Sequence, residues 1–301
     1  MYKICQLLYK LYNSSPFSSL LKASSLGCAT VLYSESHCIL LQAKKKILCY
    51  LSLSPPVERS PVLHYTFLTL PMERTMQKNS PYEPLWRYIA EKDVQSLTLS
   101  FAEIQAILGF PINHAFLNYK KDLHAYGWLC QKISMKEQYI TFLHLPEHSS
   151  ILEKASFSVL GKEGSTEEGP GFVQRLWQEA NNHFDHIEPY AKKDSNGKVC
   201  GIWGLMSDMS RSFKPWEQNF TRGLYLAGVE CLDDIIQTPD GWTCWTIPGF
   251  EYLSVECWSA SVFETTIAFL KAHTFPLAGA VQDFTDPATG KVYMLFPIRR
   301  K

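Results

Sequence analysis

The chain has 301 residues, 46% of them hydrophobic, and a formal net charge of zero at pH 7, which suits two modest domains with a core each. Residues 146–301 contain 20 Asp and Glu against 14 Lys and Arg, a surplus that disfavours nucleic acid as the partner of this half and suits neutral or cationic ligands. No run of 18 or more apolar residues occurs, which argues against a membrane span, and we expect a cytoplasmic protein.

Residues 1–75 differ in composition from the rest of the chain. They hold eight Lys and Arg, three Asp and Glu, eleven serines and one glycine. A secretory signal needs one uninterrupted apolar stretch, whereas the short stretch 7–9 is broken by Lys10. A transit peptide fits the basic, serine-rich composition but would contain more arginines. We therefore predict an unstructured leader, or an upstream stretch read from a misplaced start with Met72 or Met76 as the true beginning.

The sequence of residues 80–147 predicts a small domain of helices followed by a hairpin. The predicted elements are a helix over 84–89, a helix over 101–108, a helix over 116–126 and a strand pair within 133–145. Ser100 and Glu103 have the spacing of a capping box, and Gly109 and Gly127 follow the second and third helices as stop signals. Helix, turn, helix and hairpin is the order of a winged helix.

This order allows two functional interpretations. In the first, the helix over 116–126 lies on DNA, with Lys132 and Lys136 on the wing, so that residues 100–145 bind a DNA partner. The candidate DNA-binding residues are Asn118, Lys120, Lys121 and His124. In the second, the segment is a structural or protein-binding module, because the six Lys and Arg of residues 80–145 are balanced by six Asp and Glu, whereas duplex binding needs a basic face.

Residues 152–301 contain two copies of one unit with the order strand, helix, strand, strand. The first copy comprises a strand over 157–160, a helix with apolar residues between 173 and 184, and paired strands over 199–208 and 224–231. The second comprises a strand over 251–257, a helix over 259–272, and a hairpin of 280–284 with 292–297. A cleft between two such units is a natural place to hold a small molecule. An ordinary antiparallel α+β domain without functional repetition is the alternative.

Local signals define the second copy most clearly. Leu253 and Val255 alternate with Tyr252 and Ser254, the period of a strand with two different faces. Ser259 or Ser261 is expected to cap the helix through its hydroxyl. The turn 286–290 contains a proline and a glycine, which favour a tight connection between strands.

Several stretches of this repeat resemble the GyrI-like small-molecule-binding domain, which is also the effector-binding domain of bacterial AraC-type and multidrug-responsive regulators. They are 201–208 (GIWGLMSD), 225–230 (YLAGVE), 247–252 (IPGFEY), 280–284 (AVQDF) and 293–298 (YMLFPI). The resemblance covers residues 152–301 and implies the duplicated fold, with amphipathic and often cationic compounds bound in its central cleft. Residues 80–147 are similar to a small uncharacterised domain, which supports a boundary near residue 148.

The chain departs from the family at one position that bears on the ligand. Members commonly carry a glutamate followed two residues later by tyrosine, where this chain has Gln282 and Phe284. A cation would then need Glu230, Glu256 or Asp283 as its counter-charge. Aromatic faces attract flat ligands and cations. The candidate ligand-binding residues are Trp203, Tyr225, Glu230, Glu256, Trp258, Gln282, Phe284 and Tyr293.

The expected function is therefore binding of small amphipathic compounds, cationic aromatic ones included, by a ligand-responsive transcriptional regulator or a drug-sequestering protein. Some GyrI-like proteins instead hydrolyse strained cyclopropane-containing toxins, which needs a carboxylate as general base. An amide such as Gln282 cannot take that proton. No catalytic, cofactor or metal motif is predicted. The five cysteines after residue 79 lie isolated in apolar stretches, and we predict reduced thiols.

Overall fold

Two antiparallel sheets, one of three strands and one of eight, organise the part of the chain that the computed structural model describes. This part comprises residues 80–232 and 237–301. The predicted α+β fold class is confirmed. The prediction of an unstructured leader over residues 1–75 lies outside the described residues.

The three-stranded sheet and its helices have the predicted winged-helix order. The elements are α1 (Glu83–Ala90), β1 (Ser96–Ser100), α2 (Phe101–Leu108), α3 (Phe116–Tyr119), a 3₁₀ helix (Lys120–Tyr126), β2 (Trp128–Ser134) and β3 (Tyr139–His144), with sheet order β1-β3-β2. Ser100 and Glu103 form the capping box, each side chain accepting a hydrogen bond from the other residue's N–H. Gly109 and Gly127 end their helices at φ values of 79° and 76°, a conformation that glycine adopts without strain.

The sequence prediction was wrong about two strands of this sheet. It missed β1, a five-residue strand in which only Leu99 is buried, because the apolar alternation is too short to recognise. It also began the hairpin at Ile133, whereas β2 already starts at Trp128.

The eight-stranded sheet contains the two predicted copies. The first consists of β5 (Phe157–Ser165), α4 (Phe172–Asn182), β6 (Ile202–Ser207) and β7 (Leu224–Glu230); the second consists of β9 (Phe250–Glu256), α5 (Val262–Ala272), β10 (Gln282–Thr285) and β11 (Val292–Arg300). Neighbouring strands follow the order β9-β11-β10-β6-β7-β5. Counted from its outer strand towards the other copy, each copy contributes its first, third and second strands. The copies meet where β6 pairs with β10, with Gly204 opposite Asp283.

Two strands that the sequence analysis missed close this sheet. They are β4 (Ser149–Lys154), which pairs with β9, and β8 (Thr243–Ile247), which pairs with β5. One register runs along both pairings, from Ser149 opposite Val255, through Lys154 opposite Phe250 and Phe157 opposite Ile247, to Gly161 opposite Thr243. Only two residues separate β4 from β5, and only two separate β8 from β9. Residues 149–161 and 243–255 therefore form two bent strands that pair with each other as one ribbon. The hydrogen-bonded circuit of β4–β11 is therefore closed, and we call it the barrel.

Helices α4 and α5 cover the outside of the barrel. Short 3₁₀ helices at Thr166–Glu168, Phe184–His186 and Glu188–Tyr190, and a helical turn at Glu217–Phe220, occupy the connections of the first copy. The predicted serine cap of α5 is wrong. Ser261 holds the N-cap position without a side-chain capping bond, because its hydroxyl lies 3.1 Å from that of Ser259.

The three-stranded sheet packs against the second copy. Leu129, Leu143 and Leu145 lie in one buried cluster with apolar side chains of β9, α5 and β11. The side chain of Gln131 donates a hydrogen bond to the carbonyl of His273 at 2.8 Å. A shared apolar core thus joins the winged-helix elements to the barrel.

Candidate ligand-binding site

The inner face of the barrel carries every second residue of its strands, since successive strand residues point to opposite faces. One apolar cluster draws side chains from all strands β5–β11. Its side chains are buried at Phe157, Trp203 and Tyr252 but partly exposed at Phe284 and Tyr293. The edge of the cluster where these two rings lie is therefore in contact with solvent. We call this edge the mouth and define it by six residues: Lys154, Trp203, Glu230, Glu256, Phe284 and Tyr293.

A row of aromatic rings at the mouth comes from β11, β10, β6 and β5, and β7, which lies between β6 and β5, has Gly228 opposite Trp203. Tyr293 pairs with Phe284, and Phe284 pairs with Trp203, across adjacent strands. Ring centroids are 6.3 Å apart for the first pair and 4.6 Å for the second, and Phe157 lies 4.6 Å from Trp203 on its other side. These separations fall in the range of favourable aromatic contacts. The rings already contact each other, so a ligand would lie over their exposed faces and edges.

Two carboxylates bound this row, one at each end. Glu256 lies directly opposite Tyr293 in the β9–β11 register, and its carboxylate is 2.9 Å from the Lys291 ammonium. Glu230 is buried and pairs with Lys154 at 2.9 Å and with Lys192 at 3.1 Å. A buried carboxylate is costly unless it is paired, and the two lysines supply that pairing.

Lys154 contacts both the rings of the mouth and a carboxylate. Its ammonium lies 4.3 Å from the centroid of Phe157 and 5.4 Å from that of Trp203. Both distances are within the roughly 6 Å over which a cation is attracted to an aromatic face. The sequence analysis missed Lys154, because β4 was not recognised and nothing local shows that this strand borders the cleft.

Two polar atoms on the inner face are buried without a hydrogen-bond partner within the described residues. They are the indole Nε1 of Trp203 and the hydroxyl of Tyr252. An unpaired buried donor costs about 1 to 3 kcal/mol. The indole nitrogen lies beside Gly201, where a Cβ atom would come within 2.6 Å of it. A side chain at position 201 would therefore clash with this nitrogen.

A loop held by Asp208 packs on the interior cluster from the end away from the mouth. Its carboxylate accepts hydrogen bonds from the hydroxyls of Ser207, Ser210 and Ser212 and from the Lys214 N–H. Burial raises the pKa of Asp208, but these hydrogen bonds outweigh it and hold the pKa at about 2. The same loop places Met209 and Phe213 against the cluster, which blocks this end of the interior.

The structure places five of the predicted ligand-binding residues in the mouth and three outside it. The five are Trp203, Glu230, Glu256, Phe284 and Tyr293. Gln282 shares the inner face but is fully buried, and its amide is bonded to both backbone groups of Met206 and to the Ala280 carbonyl. Trp258 follows Glu256 on the surface, 57% exposed, with its ring 5.8 Å from that of His148.

Tyr225 lies on the opposite face of the sheet, under α4. Its hydroxyl accepts a hydrogen bond from Trp177 Nε1 at 3.2 Å and lies 3.5 Å from the Asp283 carboxylate, to which it donates. Asp283 is itself buried on this outer side, opposite Gly204. Neither Tyr225 nor Asp283 faces the mouth, because both have the wrong parity along their strands.

The candidate DNA-binding residues lie on α3 and the 3₁₀ helix beside β4. The Lys121 ammonium forms a salt bridge with Glu153 of β4, which also pairs with Lys301. Hydrogen bonds from these two ammonium groups lower the pKa of Glu153 to about 2. Asn118 is exposed, and Lys120 and His124 are partly buried. The prediction that these four residues contact DNA stays a prediction.

No cluster of three metal-ligating side chains occurs in the described ranges, and none of their helices is long and apolar enough to cross a membrane. The cysteines are less isolated than predicted. The Sγ atoms of Cys231 and Cys244 lie 3.9 Å apart, and this contact lowers the pKa of Cys244 to about 7. Sequence analysis could not detect this approach, because Cys231 follows β7 and Cys244 lies on β8, and β5 separates these two strands.

No family model matches the chain, and no curated protein matches it. Solved structures resemble about half of it. SAV2435 bound to tetraphenylphosphonium shares 18% identity at a TM-score of 0.35, over 50% of this chain and 93% of that one. The EcmrR C-terminal domain shares 9% identity at a TM-score of 0.36, over 51% of this chain and 98% of that one. An integron cassette protein of Vibrio cholerae shares 12% identity at a TM-score of 0.31, over 52% of this chain and 97% of that one. Similarities this distant do not assign the chain to a family.

Proposed function

We propose that the mouth of the barrel binds small amphipathic aromatic compounds. The observation that carries this proposal is the row of rings from Tyr293 to Trp203, which ends in partly exposed faces instead of closing into a sealed core. Stacking on such faces contributes about 0.5 to 1.5 kcal/mol per ring pair beyond the area buried. The two unpaired buried polar atoms on the same face support a ligand that brings hydrogen-bond partners with it.

Binding could serve a ligand-responsive transcriptional regulator or a protein that sequesters drugs. The winged-helix order of the three-stranded sheet supports the first role, because that order is common in DNA-binding domains. We place hydrolysis of strained ring compounds second. A general base must be able to accept a proton from water, and both carboxylates of the mouth already pair with lysines.

Calorimetric titration with 2-naphthamide, a neutral bicyclic amide, tests the proposal on the full chain. We expect saturable binding in the micromolar range, which corresponds to about −8 kcal/mol. Phe284→Leu should weaken binding about three- to tenfold, because it removes one stacking face while keeping an apolar side chain. Trp258→Phe is the matched control, since this exposed ring lies outside the row. Absence of saturable binding, or equal losses in both variants, would reject the mouth as the site.

A further inference from the structure

We propose that Lys154 sets the charge selectivity of the mouth, so that the site accepts aromatic carboxylates and discriminates against aromatic cations. This inference rests on the proposed function and names its ligand class. It differs from the expectation of cationic ligands that the family resemblance carries. The two expectations predict opposite orders of affinity.

The first argument is that Lys154 already occupies the place that a cation would take. A bound cation gains from an aromatic face and from a nearby carboxylate. The Lys154 ammonium has both, with Phe157 and Trp203 within 5.4 Å and the Glu230 carboxylate at 2.9 Å. A second cation would have to displace this ammonium or lie next to a like charge, and either event opposes binding.

The second argument is the local balance of charge. Each carboxylate of the mouth is already paired with a lysine, Glu230 with Lys154 and Glu256 with Lys291. Neither carboxylate is therefore left as an uncompensated counter-charge for a cationic ligand, although residues 146–301 as a whole are acidic. A ligand responds most strongly to the nearest charges, because salt screens those beyond about 8 to 10 Å.

The third argument is the direction of the unused hydrogen bonds. An indole N–H can only donate, and Trp203 Nε1 is buried without a partner beside Gly201. The buried Tyr252 hydroxyl also has no partner, and it can donate as well. Together with the Lys154 ammonium, these groups give the inner face a surplus of donors. A carboxylate brings only acceptors, whereas a quaternary aromatic cation brings none.

Three bicyclic probes of similar size test the inference: 2-naphthoate, 2-naphthamide and N-methylquinolinium. Calorimetry on the full chain should give the tightest binding for the carboxylate and the weakest for the cation. Lys154→Gln should weaken naphthoate about tenfold and strengthen N-methylquinolinium about tenfold, with less than a threefold change for naphthamide. In this variant Lys192 still pairs with Glu230, so the buried carboxylate keeps a partner.

Lys192→Gln is the matched control. It removes the same unit of charge from the same carboxylate, but the Lys192 side chain is 47% exposed whereas that of Lys154 is 24% exposed, so solvent screens its charge more and its effects on the three probes should be smaller. Tightest binding of N-methylquinolinium by the unmodified protein would overturn the selectivity and leave the proposed function intact. Equal effects of the two substitutions would also overturn it. Failure of all three probes to bind would overturn the proposed function and the selectivity together.

Discussion

Asp283 illustrates how one buried carboxyl group can make stability depend on pH. It lies on the outer side of the sheet, in contact with the Tyr225 hydroxyl. Burial raises the pKa of Asp283 to about 7, although the hydrogen bond from Tyr225 opposes this shift. The folded protein therefore prefers the protonated acid. This preference stabilises the fold fully below the ordinary aspartate pKa of about 4 and is lost as the pH rises towards 7.

Asp283→Asn should remove this dependence, because an amide resembles the neutral acid and does not ionise. Urea denaturation should give similar free energies of unfolding for both proteins at pH 4.5. At pH 8 the variant should be more stable by roughly 2 to 4 kcal/mol. Asp240→Asn, at an exposed position, should leave the difference between the two pH values unchanged. If the difference in free energy of unfolding between Asp283→Asn and the unmodified protein is the same at both pH values, Asp283 stays ionised in the folded protein.

At the scale of single residues, the sequence could select aromatic residues for the candidate site but not the face of the sheet on which each one lies. Trp203, Phe284 and Tyr293 could be found because aromatic residues within recognisable strands stand out. Tyr225 was assigned to the ligand by the same reasoning, and only the parity of β7 shows that it faces α4. Lys154 could not be found, since its contacts with Glu230 and Trp203 depend on pairings between distant strands.

Among the described elements, β4 borders both the candidate ligand site and the candidate DNA-binding segment. Lys154 points to the mouth, whereas Ile151 and Glu153 face the winged-helix elements, where Glu153 binds Lys121. Alternate residues of one strand therefore contact the candidate ligand site and the candidate DNA-binding segment. A change in the position of β4 would therefore alter the contacts of both the candidate ligand site and the candidate DNA-binding segment.

Glu153→Gln should affect DNA binding if the 3₁₀ helix contacts phosphates. Neutralising Glu153 frees Lys121 from its salt bridge, so retention of duplex DNA at low salt should increase and the salt dependence should steepen by about one phosphate contact. Glu147→Gln removes the same charge at a residue without a salt bridge in the described part of the chain, and it should have a smaller effect. Electrophoretic mobility at several salt concentrations measures both. Absence of DNA binding in all three proteins would favour the structural or protein-binding interpretation.

Elements with strong local signals were predicted well. The capping box fixed the start of α2, and the turn before β11 fixed the last hairpin, with Gly290 at a φ of 72°. The short strands β1, β4 and β8 were missed. Each of them has five or six residues, and its partner lies far away in sequence, so no local pattern distinguishes it from a loop.

The whole molecule should unfold as a unit over its two sheets, because they share a core. Leu145→Ala removes a side chain that is 3% exposed within this shared cluster, and it should cost about 2 to 5 kcal/mol. Hydrogen exchange followed by mass spectrometry in low denaturant should show that peptides of β3 and β9 lose protection together. Met135→Ala, at a position that is 66% exposed, should change neither the free energy of unfolding nor the protection of these peptides. Loss of protection in β3 alone would mean that the sheets unfold independently.

The closed barrel also constrains the order of events during synthesis. The ribbon that closes it joins β4 and β5, made early, to β8 and β9, which belong to the later part of the chain. Contacts between segments so far apart form slowly, since a long loop must close before they contribute. While β8 is still within the ribosome, one edge of β5 has no neighbour and can pair with another nascent chain. We therefore expect chains that end before residue 243 to aggregate, whereas chains that extend through β11 do not aggregate through this edge once the circuit has closed.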